Sequence, residues 1–261
     1  MPSPEFTLLC QSDRAGREER VAQQVAMLDD IPLWRSALGE LDRYAADLVS
    51  GTLVPVGSVE FVRRAMAMAG IAEPANLSYP DKLRAYLHRS LEQRPAGEIL
   101  GRLFVKPTAT KAFTGFIFDT FGETANLGEH DRSGREAFLA LDPSVPVWVS
   151  EPVAWLSEVR YYVLDGALIG EGRYDDGSDD APLPAPAVVG EMVRRFSATP
   201  DAPVAFAIDA GVLDCGTTAL VEVNDAWSLG YYSGTLEPRK YVRMLWRRWR
   251  QLAARTDEAR V

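Results

Sequence analysis

The sequence predicts a mixed α/β (α+β) fold, and two observations carry the prediction. In residues 1–75, short apolar runs alternate with stretches of helical periodicity, the pattern of a small α/β unit. Residues 204–232 read as a β-hairpin. Apolar runs at 204–208 and 219–223 flank Asp214-Cys215-Gly216, a connection looser than a two-residue turn. With 47% hydrophobic and 25% charged residues, the composition is that of an ordinary globular protein. A chain of 261 residues can bury one large core or divide into two or three subdomains.

Taken in order, residues 6–10 form a short apolar strand. Residues 18–29 are helical, with Val21, Val25 and Leu28 at helix spacing. A short helix at 44–48 and a strand at 53–56 follow. Ser58 then caps a helix over 59–69 whose apolar face is Phe61, Val62, Ala65 and Met66. Residues 74–80 read as a linker. A helix is expected over 81–93, with the stripe Leu83, Tyr86, Leu87 and Leu91. Strands flank a loop within 103–121, and further strands are expected at 145–149, from Glu158 onward and at 167–174. Residues 175–186, acidic and rich in proline and glycine, form an exposed loop before an amphipathic helix at 187–197. The division is a small domain at 1–75 and a larger one at 76–261. The larger one comprises a first lobe at 76–150, a second at 151–235 and a C-terminal helix at 236–261.

Composition also excludes functions. A net charge of −9 makes the whole protein a poor non-specific polyanion binder. Cys10 and Cys215 stand far apart in no metal spacing, which fits reduced thiols in a reducing compartment. With only His88 and His130, a histidine-built zinc site or catalytic triad is not expected. No apolar run approaches membrane-spanning length, and the first twenty residues lack the order of a signal peptide. A cytoplasmic location is expected.

Four stretches carry chemistry. On the hairpin, Glu222 and Asn224 share a face, and folding about Cys215-Gly216 brings Asp209 opposite Glu222. Three oxygen ligands, with no lysine or arginine in the neighbouring sequence, suit Mg²⁺; an exposed polar face on an edge hairpin is the plain alternative. Residues 107–115 form a small-residue loop bracketed by Lys106 and Lys111, with Thr108, Thr110, Thr114 and Gly115 supplying hydroxyls and backbone N–H groups. Such a loop can cover a polyphosphate, or be an ordinary hairpin with solvated lysines. The strand ending at Glu151-Pro152-Val153 leaves backbone groups free, as a purine edge requires. Beyond it, Glu158 and Arg160 share a strand face, where Glu158 can accept from ribose hydroxyls and Arg160 can reach a phosphate or carboxylate. An exposed ion pair of small worth is the alternative. Arg173 ends the following strand. If Asp209 and Glu222 face a metal rather than the core, their loss should cost activity and not stability.

Together these motifs resemble the ATP-grasp superfamily of carboxylate–amine ligases. The order is Lys-Pro, a second lysine in a Thr/Gly loop, Glu-Pro-Val, Glu-x-Arg, then Asp followed by Glu-x-Asn. The seven-residue step from Glu151 to Glu158 and the thirteen-residue step from Asp209 to Glu222 are similar to those of D-alanine–D-alanine ligases. The segments VPVGSVEFV, SYPDKL and LVEVNDAWSLGYY resemble most closely a clade defined by two arginines and a lysine, whose members are mostly predicted peptide or amide ligases. The resemblance covers about residues 75–235, with 1–75 similar to the family's preceding small domain. It implies two α+β lobes gripping ATP. Lys106, Lys111, Thr114 and Gly115 would meet the phosphates, Glu151, Pro152, Val153 and Glu158 the nucleoside, and Asp209, Glu222 and Asn224 would hold Mg²⁺, two ions by analogy. Lys82 resembles a second phosphate lysine or is a solvated helix residue. Where classical members carry an arginine two positions before the metal aspartate, this chain has Ala207; Arg160 or Arg173 would replace it. The implied reaction activates a carboxylate as an acyl phosphate, which an amine then attacks, with Arg160, Arg173 and Lys111 as catalytic groups. Expected partners are small-molecule or peptide substrates, with a second copy of the chain as a further candidate.

Two alternatives belong to other classes. One is a nucleotide-binding protein without catalysis, against which the retained Lys106, Asp209, Glu222 and Asn224 argue. The other is nucleic-acid binding through residues 237–255, where seven basic residues lie between Arg239 and Arg255. Tyr241, Val242, Leu245, Trp249 and Leu252 fall on one face there, so a helix docked on the core is the better reading.

Overall fold

A computed structural model of the chain describes residues 5–122, 128–175 and 177–258, side chains excepted at His130 and Arg255 onward. Its N-terminal part is a parallel three-stranded sheet of order β2-β1-β3, built from β1 (Thr7–Gln11), β2 (Leu33–Ser36) and β3 (Leu53–Val56). Parallel strands need crossovers, supplied by α1 (Arg17–Leu28) and α2 (Ala45–Val49). The next helix, α3 (Val59–Ala69), starts where Ser58 Oγ accepts from the Phe61 N–H at 3.2 Å, and it ends at Gly70, whose φ of 72° only glycine adopts freely. Phe61, Val62, Ala65 and Met66 are buried, as their spacing requires. The strand β2 has no counterpart in the sequence-based reading, because residues 33–36 are too short and mixed to show a period.

The helix expected over 81–93 is not formed. A short 3₁₀ segment (Asp81–Tyr86) turns off at His88, whose φ is 49°, and Glu92–Pro95 forms β4 instead. The apolar stripe still works: Leu83, Leu87 and Leu91 are buried in one cluster. Helical spacing marked burial correctly there, and the backbone satisfied it differently. Strands β5 (Arg102–Pro107), β6 (Phe116–Asp119) and β7 (Pro146–Ser150) join β4 in an antiparallel sheet of order β4-β7-β5-β6. Helix α4 (Glu129–Leu139) covers it through Phe138, which packs on Phe116 and Phe118.

The third sheet is the scaffold of the candidate site. Its strands are β8 (Trp155–Leu164), β9 (Ala167–Arg173), β10 (Ala205–Leu213) and β11 (Thr218–Asp225), antiparallel in the order β11-β10-β8-β9. One face carries Val159, Tyr161, Val163, Phe206, Ile208 and Leu220, which pack against α5 (Pro186–Ser197). On the other face, Tyr162, Leu164, Ala205 and Ala207 share a core with the N-terminal sheet and the long C-terminal helix α6 (Pro238–Glu258). The N-terminal unit and the second lobe are therefore joined by one continuous core, with α6 between them.

On α6, Tyr241, Val242, Trp249 and Leu252 are buried. Its arginines are largely neutralised: Arg248 forks onto Asp225 at 2.8 and 2.6 Å, Arg239 binds Asp29 and Arg247 binds Asp165. A helix with its charges taken up by intramolecular partners is a poor polyanion-binding surface. Among the described residues no helix is long and apolar enough to cross a membrane.

Candidate active site

The second-lobe sheet arranges its polar groups in a row by strand register. Asp209 pairs with Glu222 across β10–β11 and with Arg160 across β10–β8, and Arg160 pairs with Gly172 on β9. Opposite residues share a face, so Arg160, Asp209 and Glu222 line up across three strands. A register shift just after Asp209 marks a bulge at this point. Asn224 lies two residues beyond Glu222 and donates to Asp209 Oδ2 at 3.0 Å and to Glu222 Oε1 at 3.1 Å. The convergence expected from the sequence is present.

Its electrostatics differ from expectation. No basic residue adjoins these groups in sequence, yet two reach them in space. Arg160 grips Asp209 through Nε (2.8 Å) and a terminal nitrogen (2.6 Å), and Lys106 crosses from β5 to ion-pair with Glu222 Oε2. Asp209 is 0% exposed and Arg160 7%, so Asp209 belongs to a buried ion pair rather than to the cleft wall. Loss of Asp209 is therefore a stability matter as well as a functional one. Glu222 and Asn224 do line the cleft. Burial pushes the Asp209 carboxyl up, against the pull of Arg160. Burial acts on Glu222 in the same sense, but the Lys106 ammonium outweighs it and holds that carboxyl below its ordinary value. Reciprocally, burial would lower Lys106, and Glu222 more than offsets it.

The cleft, about 670 Å³, lies between the first-lobe and second-lobe sheets. That is an ordinary volume for a small-ligand site. Lys106, Lys111, Thr114, Gly115, Glu151, Pro152, Val153, Glu158 and Arg160 all line it. Lys111 is held with φ 53° in the loop between β5 and β6, and its ammonium donates to the Ser228 carbonyl. Burial in the cleft and the Arg160 charge lower its pKa, although the side chain as a whole is exposed toward the opening. Glu151 is anchored by Ser90, from N–H at 3.0 Å and from Oγ at 2.6 Å. Glu158 accepts from Tyr174 Oη at 2.7 Å, and its pKa is raised by burial against that hydrogen bond.

Two expected residues are not brought in. Arg173 is opposite Val159, on the sheet face away from the cleft, where it binds Asp175 and the Ser178 carbonyl at 2.6 Å. Alternation gives the cleft-facing positions of that strand to Gly172 and Tyr174. Lys82 is exposed and does not line the cleft. Residues the sequence did not single out do contribute. Tyr174 and Tyr232 stack at 5.7 Å and both lie beside the Arg160 guanidinium, at 5.4 and 5.0 Å. Arg89 lies near Tyr79 and Trp155 and donates to the carbonyls of Leu220 and Val221 at 2.8 and 3.1 Å. Alternation beyond Arg173 would have found Tyr174. Arg89 left no signal, since it fell inside an expected helix.

Two measurements test these placements. Lys106→Ala should weaken ATP binding about tenfold or more, the worth of a charge-assisted contact, and Lys82→Ala should change it less than about twofold. Calorimetry on both variants decides, and equal losses would reject the ranking. For the Arg173 pair, burial raises Asp175, but Arg173 and the N–H groups of Glu158 and Gly177 together depress it to about 2. A carboxyl depressed on folding stabilises fully above its unfolded pKa and loses that contribution as pH falls through the folded value. Asp175→Asn should thus cost about 1 kcal/mol near neutrality, and its deficit should shrink from about pH 4 downward. Denaturant titrations at several pH values check this; a pH-independent deficit would show that the carboxylate charge contributes nothing.

A cleft gripped between two α+β lobes, with lysines on one side and a carboxylate–amide cluster on the other, defines a protein of the ATP-grasp fold. Residues 47–252 match the ATP-grasp domain of family 3 in the clade named for two arginines and a lysine, and the chain belongs to that family. It is similar in structure to D-alanine–D-alanine ligase from Bacillus anthracis, with a TM-score of 0.52 and 14% identity over 96% of this chain and 99% of that one. Against the structure of that enzyme complexed with ATP, the TM-score is 0.53 at 14% identity, over 96% and 95% of the chains. These likenesses concern the fold. A comparison with curated proteins finds no match.

Proposed function

We propose that the protein is an ATP-dependent ligase that joins a carboxylate to an amine through an acyl phosphate. The observation that carries this reading is the facing of Lys106 and Lys111 toward Glu222 and Asn224 across one cleft. Positioning and charge stabilisation are most of what phosphoryl transfer asks of a protein. In this reading Glu151, Pro152 and Val153 border the purine, Glu158 accepts from the ribose, and the two lysines take the phosphates.

The donor set around Glu222 fits Mg²⁺: a carboxylate and an amide at the cleft wall, with a second carboxylate directly behind them. Mg²⁺ bound there would neutralise phosphate charge as the γ-phosphoryl group leaves. Lys106, now on Glu222, would turn its ammonium to phosphate oxygens. Asp209 holds Asn224 in place, and Arg160 holds Asp209. Arg160 was expected to meet the substrate directly; its fork is instead filled by Asp209, so it acts by positioning and by its nearby charge. The Thr/Gly loop would shield the acyl phosphate from water until the amine attacks.

The test is incubation of purified protein with MgATP and pools of amino acids and short peptides, following ADP, phosphate and product mass. A new amide mass with stoichiometric ADP is expected. ATP binding with no amide from any pool would favour a nucleotide-binding protein without ligase activity.

A further inference from the structure

The loop between β5 and β6 carries Lys111, yet its fastening comes from elsewhere in the chain. Arg63, on α3 of the N-terminal unit, donates to the Thr110 carbonyl at 2.8 Å. Asn76, in the linker, donates to the Thr108 carbonyl at 3.1 Å. Both loop carbonyls are thus taken by side chains from outside the sheet that bears the loop.

Arg63 is itself held in place. Glu73 accepts from its Nε at 2.7 Å and from a terminal nitrogen at 2.9 Å, a bidentate fork that fixes the guanidinium plane. That plane also lies 5.9 Å from the ring of Trp227, a cleft-lining residue. The same nitrogen that completes the fork reaches Thr110. The peptide after the Thr110 carbonyl leads into Lys111, whose φ of 53° is unfavourable for a residue with a side chain. Such a conformation persists only where the surroundings impose it. A rigid donor on the preceding carbonyl is one such constraint, because it sets the orientation of the peptide plane entering Lys111.

We propose that Arg63 is a positioning residue: it holds the Thr110–Lys111 peptide so that the Lys111 ammonium stays over the cleft, with Asn76 as a second tether. This rests on the reading that Lys111 meets nucleotide phosphates. The phosphate loop is then oriented by the N-terminal unit rather than by its own lobe. A lysine at position 63 retains one donor for the Thr110 carbonyl but not the fork onto Glu73, so it should rescue in part.

The experiment uses the full chain as wild type, Arg63→Ala, Arg63→Lys, Asn76→Ala, Lys111→Ala and the Arg63→Ala/Lys111→Ala double variant. Hydrogen exchange without nucleotide reads the tether directly. Residues 108–115 should exchange about tenfold faster in Arg63→Ala and measurably faster in Asn76→Ala, with α3 and β5 unchanged. Calorimetry with MgATP reads the consequence. Arg63→Ala should bind about fivefold more weakly, Arg63→Lys should recover part of this, and the double variant should bind no more weakly than Lys111→Ala alone. Unchanged loop exchange overturns the tether. Losses that multiply in the double variant overturn action through Lys111, since a merely structural Arg63 would add its own. If Arg63→Ala does not fold, Asn76→Ala and Arg63→Lys carry the exchange comparison. Failure of the wild-type chain to bind MgATP would overturn the nucleotide reading, and with it the role of Arg63 in binding, while the exchange comparison would still decide the tether.

Discussion

Glu222→Ala should lower ligase turnover by about a hundredfold or more, with little change in thermal stability. Glu222 combines two features that usually separate. Its carboxylate is tied to Lys106 and Asn224, so it stands at the centre of the charge arrangement. Yet its side chain is 24% exposed, at the cleft wall rather than in the core. Removal leaves Lys106 without a partner, but that lysine is at the cleft wall too and water can take up the charge. Turnover with graded Mg²⁺, beside a melting curve, separates the two effects. Glu222→Gln keeps the shape and removes the charge, so it should be nearly as inactive. Wild-type turnover in either variant would remove this cluster from the mechanism.

Asp209→Ala should behave otherwise: it should lower stability by about 3–5 kcal/mol, the cost of leaving a buried charge uncompensated. For a chain of this size the melting temperature would fall on the order of 10 °C. The argument is the burial of both partners and the two short bonds between them. Asp209→Leu combined with Arg160→Met removes both charges together and should recover much of that stability while remaining inactive, because apolar replacement of a buried pair is often neutral. Arg160→Lys retains the charge without the fork and should fall between wild type and Asp209→Ala in stability. Denaturant unfolding of the four proteins is the measurement. A loss below about 1 kcal/mol in Asp209→Ala would mean that water reaches the pair, as at exposed ion pairs.

Much of the site was legible because strand geometry is local. Side chains alternate and a hairpin pairs its own two strands, so the meeting of Asp209 with Glu222 and the common face of Glu158 and Arg160 follow from spacing alone. The same holds for the capped helix at Ser58 and for the docked face of α6, where capping and the 3.6-residue period act over a few turns. The order of the motifs was enough to indicate the family, since each residue type at those positions answers to the charge of phosphates, a hard cation or a nucleoside.

What the sequence by itself determined, then, is the fold class, the strands that bear the polar groups and the faces those groups occupy. The tertiary structure alone decided which charges meet. Lys106 and Glu222 are 116 residues apart and pair only because two sheets close on one cleft. Arg160 and Asp209 become partners because β8 lies beside β10, an order of strands that no local pattern encodes. Arg173 turned away and Tyr174 turned in because β9 is read in register with β8. The helix expected at 81–93 gave way to a strand because its apolar stripe could be buried without helical backbone. In each case the deciding energy is that of desolvating or pairing groups distant in sequence, and it does not exist until the chain has closed on itself.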